Sequence, residues 1–189
     1  MNIFILDEDP EFAAASHCDK HVCKMILESG QMLCTAHWVD WLTYFKKGLS
    51  DFKRQRDAAE FLFREVPTVF QPPWKMTHVN HPSSVWTRES LDNYSWHSRL
   101  GIALCNEYEK RYGRVHKSLK VHRWLQRNSP IVTESKGLTP FAVCMPEKYK
   151  ISEDPVACYR KYYLEDKVRF AKWAHSQEPD WWKNEKNKT

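Results

Sequence analysis

Residues 11 to 39 read EFAAASHCDKHVCKMILESGQMLCTAHWV, and within them Val22, Met25, Ile26, Met32, Leu33 and Ala36 recur at the spacing that gathers side chains on one face of a 3.6-residue turn. The stretch predicts one long helix over about 11 to 39 and decides the fold class, which is mainly α. Upstream, Ile3 to Leu6 form a short apolar run closed by the breaker Asp7-Glu8-Asp9-Pro10, so a short strand or extended lead-in is expected there. Downstream, a second helix is expected over 49 to 65, capped by Ser50 or Asp51, with Phe52, Leu62 and Phe63 facing inward, and ending before Pro67. Prolines 67, 72, 73 and 82 mark an ordered surface loop. A third long helix should start after Ser83 or Ser84 and stop at Gly113, and a short basic one should cover 118 to 127. After a Pro-containing loop over 128 to 153, Asp154-Pro155 pairs an N-cap with proline at the first helical position and opens a last helix reaching about Ala174. The expectation is a single all-α domain over 1–182, about five helices with a short extended N-terminal segment, and a frayed basic tail over 183–189.

Composition narrows the function. The chain has 189 residues, 42% hydrophobic and 28% charged, with no window resembling a membrane span, which fits a folded, non-membrane protein. Five scattered glycines cannot build a phosphate-cradling Gly-rich loop, which excludes Walker-type and Rossmann-type nucleotide sites. Six cysteines without a CxxC pair read as reduced, packed thiols, and with no signal peptide in the first residues a cytoplasmic location is expected, host cytoplasm if the chain is phage-encoded. A formal charge of +5 beside 14% aromatics, with 9 Trp and 9 His, suits a polyanion with flat bases.

Chemistry gathers on the first helix. At about 100° per residue, His17, His21, Lys24, Glu28 and Gln31 fall within about 80° of one another, with Lys20 at the edge. One reading is a solvated, charge-laced face; another is a catalytic carboxylate kept ionised by surrounding cations. A third is a metal site in which His17 and His21 join His78 and His81, although no HExxH motif is present and Lys20 and Lys24 would repel a cation. No metal and no cofactor are expected on balance.

The charge surplus lies elsewhere. Residues 110, 111, 114, 117, 120, 123 and 127 are Lys or Arg, with no Asp or Glu between 110 and 127, so the rest of the chain sums to −2. Such a cluster matches what phosphate-backbone binding requires, with Arg111, Arg114, Lys117, Lys120 and Arg123 as candidate contacts, unless it is simply a solvated basic face. His81-Pro82-Ser83-Ser84 opens the third helix; its free N–H groups could take a phosphate, which adds His81, Ser84 and Arg88 to the candidates.

The run Asp19-Lys20-His21-Val22, with Glu28 seven residues after the His, resembles the phage T4-type pyrimidine dimer DNA glycosylases, which carry Asp-Gln-His-Leu and a catalytic Glu at the same offset. The apolar lead-in Met1 to Leu6 and the aromatic-rich region of Tyr159, Tyr162, Tyr163 and Trp173 resemble that family's two ends. The chain is also similar to small uncharacterised phage proteins containing His-Cys-Asp-Lys-His and Asn-His-Pro-Ser runs. The resemblance implies an all-α enzyme of base-excision DNA repair that flips a nucleotide from duplex DNA and cuts its glycosidic bond, the chain's α-amine attacking C1′ while the Glu stabilises positive charge. Carried across, Glu28 is the catalytic carboxylate and His21 its partner. Methionine before Asn2 should be retained, so the nucleophile would be the Met1 amine, Lys24 or Lys20. Leu27 stands where the family has Arg, and a glycosylase without lyase activity fits these differences equally.

The expected function is therefore a monomeric DNA glycosylase, with or without AP lyase activity, that removes a damaged or modified pyrimidine from duplex DNA. Its catalytic residues would be Glu28, His21, Lys24 and Met1, with Lys20 beside them at the DNA. The alternatives are a metal-dependent nuclease or nucleotide hydrolase built on His17, His21, His78 and His81, and a non-catalytic nucleic-acid-binding module.

Overall fold

A computed structural model describes residues 2–186, and in it the helix expected over 11 to 39 is two helices, α1 (Pro10–Ser16) and α2 (Asp19–Tyr44). His17 and Cys18 between them are extended, and the buried Arg111 holds the break. Arg111 donates to the carbonyls of Ala15 (2.9 Å) and His17 (2.8 Å), which α1 leaves unpaired, and to Asp19 in the first turn of α2 (3.0 Å). Glu107, one turn earlier on the same helix as Arg111, accepts from its Nε–H at 2.8 Å. Apolar periodicity continues across the break, because the Val22, Met25 and Ile26 face packs into the same core as Ala13 and Ala14. Pattern alone therefore cannot see it.

The third expected helix also divides. α4 (Pro82–Glu89) and α5 (Leu91–Tyr112) are separated by Ser90, whose extended backbone lets its hydroxyl cap α5 by accepting from the Asp92 amide at 3.2 Å. α5 ends as expected at Gly113, where φ of 64° puts the residue in the left-handed region. The rest comprises α3 (Gln55–Glu65), α6 (Leu119–Arg127), α7 (Pro155–Tyr162) and α8 (Asp180–Lys186). Asp154 caps α7 through the Val156 amide at 2.8 Å, and α7 runs on into a π-helical turn, Tyr163–Lys167, instead of continuing as α-helix to 174. Eight α-helices thus replace the five expected among the described residues. Phe63, expected inward, is 44% exposed. The expected frayed tail is helical through Lys186 and follows the buried Trp182, and residues 187–189 lie outside the described part of the chain.

α2 is the axis of the domain. Its first half packs with α1, α5, α7 and the buried extended segment of residues 3–6 in the largest apolar cluster. Its second half meets α3 with Met76 and Val79 through Trp38 and Leu42, while Leu33, Cys34 and Ala36 face Tyr94 of α5 and Val121 and Leu125 of α6. α6 approaches so closely that His122 reaches across α5 at Gly101, where a Cβ would stand 2.3 Å from its Nδ1, to meet the Ile26 carbonyl at 2.8 Å. The long loop before α7 is tied to α2 by Asp40, whose buried carboxylate accepts the amides of Ile131 (2.6 Å), Val132 (3.1 Å) and Thr133 (2.8 Å). All six cysteines are free thiols, and among the described residues no helix is long and apolar enough to cross a membrane.

Replacing Arg111 by Met should cost about 3–5 kcal/mol in urea denaturation, since Glu107 and Asp19 would keep buried charges without their partner. Acid should act on the core as well. Burial pushes His17, His37 and His122 down to about 4 and His97 to about 3, so each takes up a proton in the unfolded chain near 6.5 but not in the folded one. The unfolded state then binds more protons below pH 6.5, and the urea midpoint should fall steadily as the pH is lowered from 6.5 towards 4; a midpoint flat over that range would contradict neutral buried imidazoles.

Candidate active site

α2 presents His21, Lys24 and Glu28 on one face, spaced three and four residues apart. The extended N-terminal segment lies against that face. The backbone amide of Asn2 donates to Glu28 Oε2 at 3.1 Å, and Lys24 Nζ stands 3.3 Å from Oε1. Asn2 is itself fixed by its side chain, which donates to the Cys144 carbonyl at 2.8 Å and accepts from the Tyr159 hydroxyl at 2.8 Å. Glu28 is only 9% exposed, so a single carboxylate with two nitrogen donors sits at the rim of the core.

Aromatic rings line the rest. Phe4 stacks on the His21 ring at 4.4 Å between centroids, and Tyr163 and Phe170 meet the same imidazole edge-on at 5.2 and 5.4 Å. Tyr163 joins its hydroxyl to His21 Nδ1. It begins the π-helical turn, and the widened helix also brings Lys167 to the site, 4.2 Å over the Tyr162 ring and hydrogen-bonded to the Tyr162 hydroxyl at 2.9 Å. On the opposite edge, Lys20 Nζ lies 4.7 Å over Phe170.

Electrostatics keep the imidazole neutral. Burial, reinforced by the positive charges of Lys167, Lys24 and Lys20, pushes His21 down to about 2, and burial raises the Tyr163 hydroxyl well above its usual range. Burial also pulls Lys167 down, but its hydrogen bonds to Asp166 and Tyr162 more than offset that, so its pKa sits above the usual lysine value. The site therefore combines a neutral His–Tyr pair, three lysines and the Glu28 carboxylate, with Asp166 paired to Lys167 at its edge. Its partly exposed edge, where Lys20 and Lys24 reach solvent beside Glu28, is cationic, and the imidazole behind it stays neutral.

Of the residues singled out in the sequence, His21, Lys24 and Glu28 come together and Lys20 borders them, while Met1 lies outside the described residues. His17 leaves the stripe: it sits in the α1–α2 break, fully buried, with Nδ1 2.6 Å from the Ala13 carbonyl. The four histidines considered as metal ligands do not converge, and among the described residues no three His, Cys, Asp or Glu side chains are placed to share one ion. His81, not a serine, is the N-cap of α4, its Nδ1 accepting from the Ser83 amide at 3.2 Å. Ser84 is buried rather than presented to solvent, and Arg88 is half-buried with Nη1 enclosed and no hydrogen-bond partner there. α4 adjoins the site through Ser83, whose hydroxyl is 3.3 Å from Cys144 Sγ.

The basic segment needs a larger correction. Arg111 has no exposed side-chain surface and spends its donors inside the fold, so it is no phosphate contact. Arg114, Lys117, Lys120 and Arg123 are exposed, but α6 lies across α2 from the site. α6 touches α2 at the Ile26 carbonyl and at His37, whose ring is 5.1 Å from Trp124. Positions 26 and 37 point about 160° and 180° away from Glu28 around the α2 axis. The phosphate-type surface and the chemical site therefore face opposite sides of the molecule.

Asn2, Phe4, Tyr163 and Lys167 escaped the sequence reading as individual site residues. Their partners on α2 are close in space only because the fold closes, and a π-helical turn has no local signature in the sequence; the aromatic-rich stretch around Tyr162 and Tyr163 was its one visible sign. Tyr163→Phe should leave His21 Nδ1 unpaired in the core and cost about 1–3 kcal/mol by urea denaturation. The His21 ring nitrogens should still give a neutral-imidazole ¹⁵N spectrum at pH 5 in the unsubstituted protein. Comparison of the chain with protein-family models, with curated proteins and with solved structures finds no match.

Proposed function

We propose that the protein is a DNA glycosylase that removes a damaged or modified pyrimidine from duplex DNA through an amine nucleophile, with lyase activity following from the covalent intermediate. One observation carries this reading: the Lys24 amine stands 3.3 Å from the carboxylate of Glu28, which is 9% exposed, so an amine and a nearly buried carboxylate share one face of α2. Lys20, one turn earlier on the same helix, is the second amine available.

In the proposed reaction the amine lone pair attacks C1′ of the flipped nucleotide and the C1′–N bond to the base breaks with its electrons leaving on the base, which takes one proton of the amine; the sugar ring then opens, the C1′–O4′ bond breaking as the nitrogen forms the imine and its second proton passing to O4′. Glu28 stabilises the positive charge that builds at C1′ and on the nitrogen. The half-buried rings of Tyr162 and Phe170 offer flat surfaces at the edge of the site for an extruded base or sugar, and Lys20, Lys24 and Lys167 supply charge for the flanking phosphates. His21, neutral and fixed by Tyr163, packs against Phe170.

Borohydride treatment during incubation with duplexes carrying an assortment of damaged and modified pyrimidines should yield a covalent protein–DNA adduct. Peptide mapping should place it at Lys24 or Lys20. Glu28→Gln should reduce base release by roughly 10²–10³. Base release without any adduct would replace the amine by water and keep a glycosylase; the absence of both base release and adduct with every duplex would remove the enzymatic reading and leave a binding protein.

A further inference from the structure

The exposed face of α6, turned away from the candidate active site, is built as a binding surface of its own. Lys120, Arg123 and Arg127 lie at positions that share about 60° of the helix circumference, and Lys117 and His116 continue the row before the helix begins. With Val115, Leu119, Trp124 and Asn128 they line an open groove of about 620 Å³. The opposite face of α6, Val121, His122 and Leu125, is buried against α2 and α5, so the basic face is held rigidly outward. Arg114, Lys117, Lys120, Arg123 and Arg127 have no carboxylate within ion-pairing distance among the described residues, whereas most other arginines of the chain are paired. Like charges brought together without counter-charges repel one another, and an anionic ligand relieves that cost.

We propose that this groove is a second nucleic-acid-binding surface, which grips the phosphate backbone of a segment other than the one presented to Glu28. The row from Lys117 to Arg127 extends about 15 Å at 1.5 Å per helical residue, the length of roughly four phosphates at 3.4 Å of rise per strand. The Trp124 ring, half-buried in the groove wall and backed by His37, offers a flat surface for a base of the bound strand. A concave cationic row with an aromatic wall matches a strand better than a membrane. A surface-lying helix would need an apolar face to insert, and the apolar face of α6 is occupied by α2 and α5. Because the site lies about two helix diameters away across α2 and α6, roughly 20 Å, one straight duplex cannot fill both surfaces side on; the protein holds two segments, or anchors by one face and works with the other. The inference does not require base excision, since binding is measurable without it.

Fluorescence anisotropy of the full chain with a fluorescein-labelled 20-nucleotide DNA, single-stranded and duplex, over a salt series tests it. Lys120→Glu with Arg123→Glu should weaken binding roughly tenfold or more at moderate salt and lower the slope of log affinity against log salt by about 2. Lys120→Gln with Arg123→Gln, a milder pair, should shift both in the same direction. The control Lys53→Glu with Arg56→Glu, exposed on the α3 side, reverses the same number of charges away from the groove and should have a much smaller effect. Unchanged affinity in the α6 variants, or an equal loss in the control, would overturn the proposal. So would binding to phosphatidylserine vesicles that is lost in the α6 variants while DNA binding is retained.

Discussion

The buried guanidinium of Arg111 is the constraint on which the remainder of the architecture depends. One side chain of α5 closes the end of α1, meets the start of α2 through Asp19 and so fastens both to α5, while Glu107 of its own helix holds its Nε–H. A buried charge is tolerated only when its donors and its charge are both met, and here four acceptors meet them. Were α1 and α2 one straight helix, those carbonyls would be internal and Arg111 would have no partners among them. The break turns the start of α2 so that His21 faces Phe4 and the π-helical turn, and Asp19 there also takes the Ala174 amide at 2.7 Å. The site is thus a consequence of a polar junction set in an apolar core.

Much of the local structure was legible because its signals are local. Gly113 stops α5, Asp154-Pro155 starts α7, and the apolar face of α2 is the one its periodicity marks. The two missed interruptions, at His17-Cys18 and at Ser90, share a cause: neither carries glycine or proline, and apolar spacing survives both, so the decisive terms are tertiary. Ser90 is an N-cap residue by type, but a serine within a helical pattern is as often a solvent-facing side chain. On the site, three residues of one helix face could be read from spacing, whereas the residues packed against that face could not. Asn2 meets Glu28 across 26 residues, and Tyr163 meets His21 across 142. The basic cluster was legible as charge but not as direction, because a run of lysines and arginines does not say which of them, like Arg111, turns inward.

That change of direction alters what the charge does. The sequence already set the basic segment over 110 to 127 apart from the His-Lys-Glu stripe, without saying where either would point. The folded chain divides its cations three ways: one arginine is structural, a group of lysines surrounds His21 and Glu28, and a groove on α6 faces the opposite side. Long-range attraction for a polyanion is then not confined to the face where bonds could be made or broken.

The way residues 2 to 6 are enclosed bears on how the chain is made. Asn2 is gripped by Cys144 and Tyr159, and the Leu6 carbonyl by Arg160 at 3.0 Å. A ribosome therefore releases the first few residues long before their partners exist, and contacts separated by more than 140 residues form late because loop closure must precede them. Until then the apolar run Ile3 to Leu6 is exposed and dependent on the nascent helices, or on a chaperone, for cover. The packing of Phe4 against His21 and Tyr163 is completed only when translation has passed Tyr163, so no shorter nascent chain can have it.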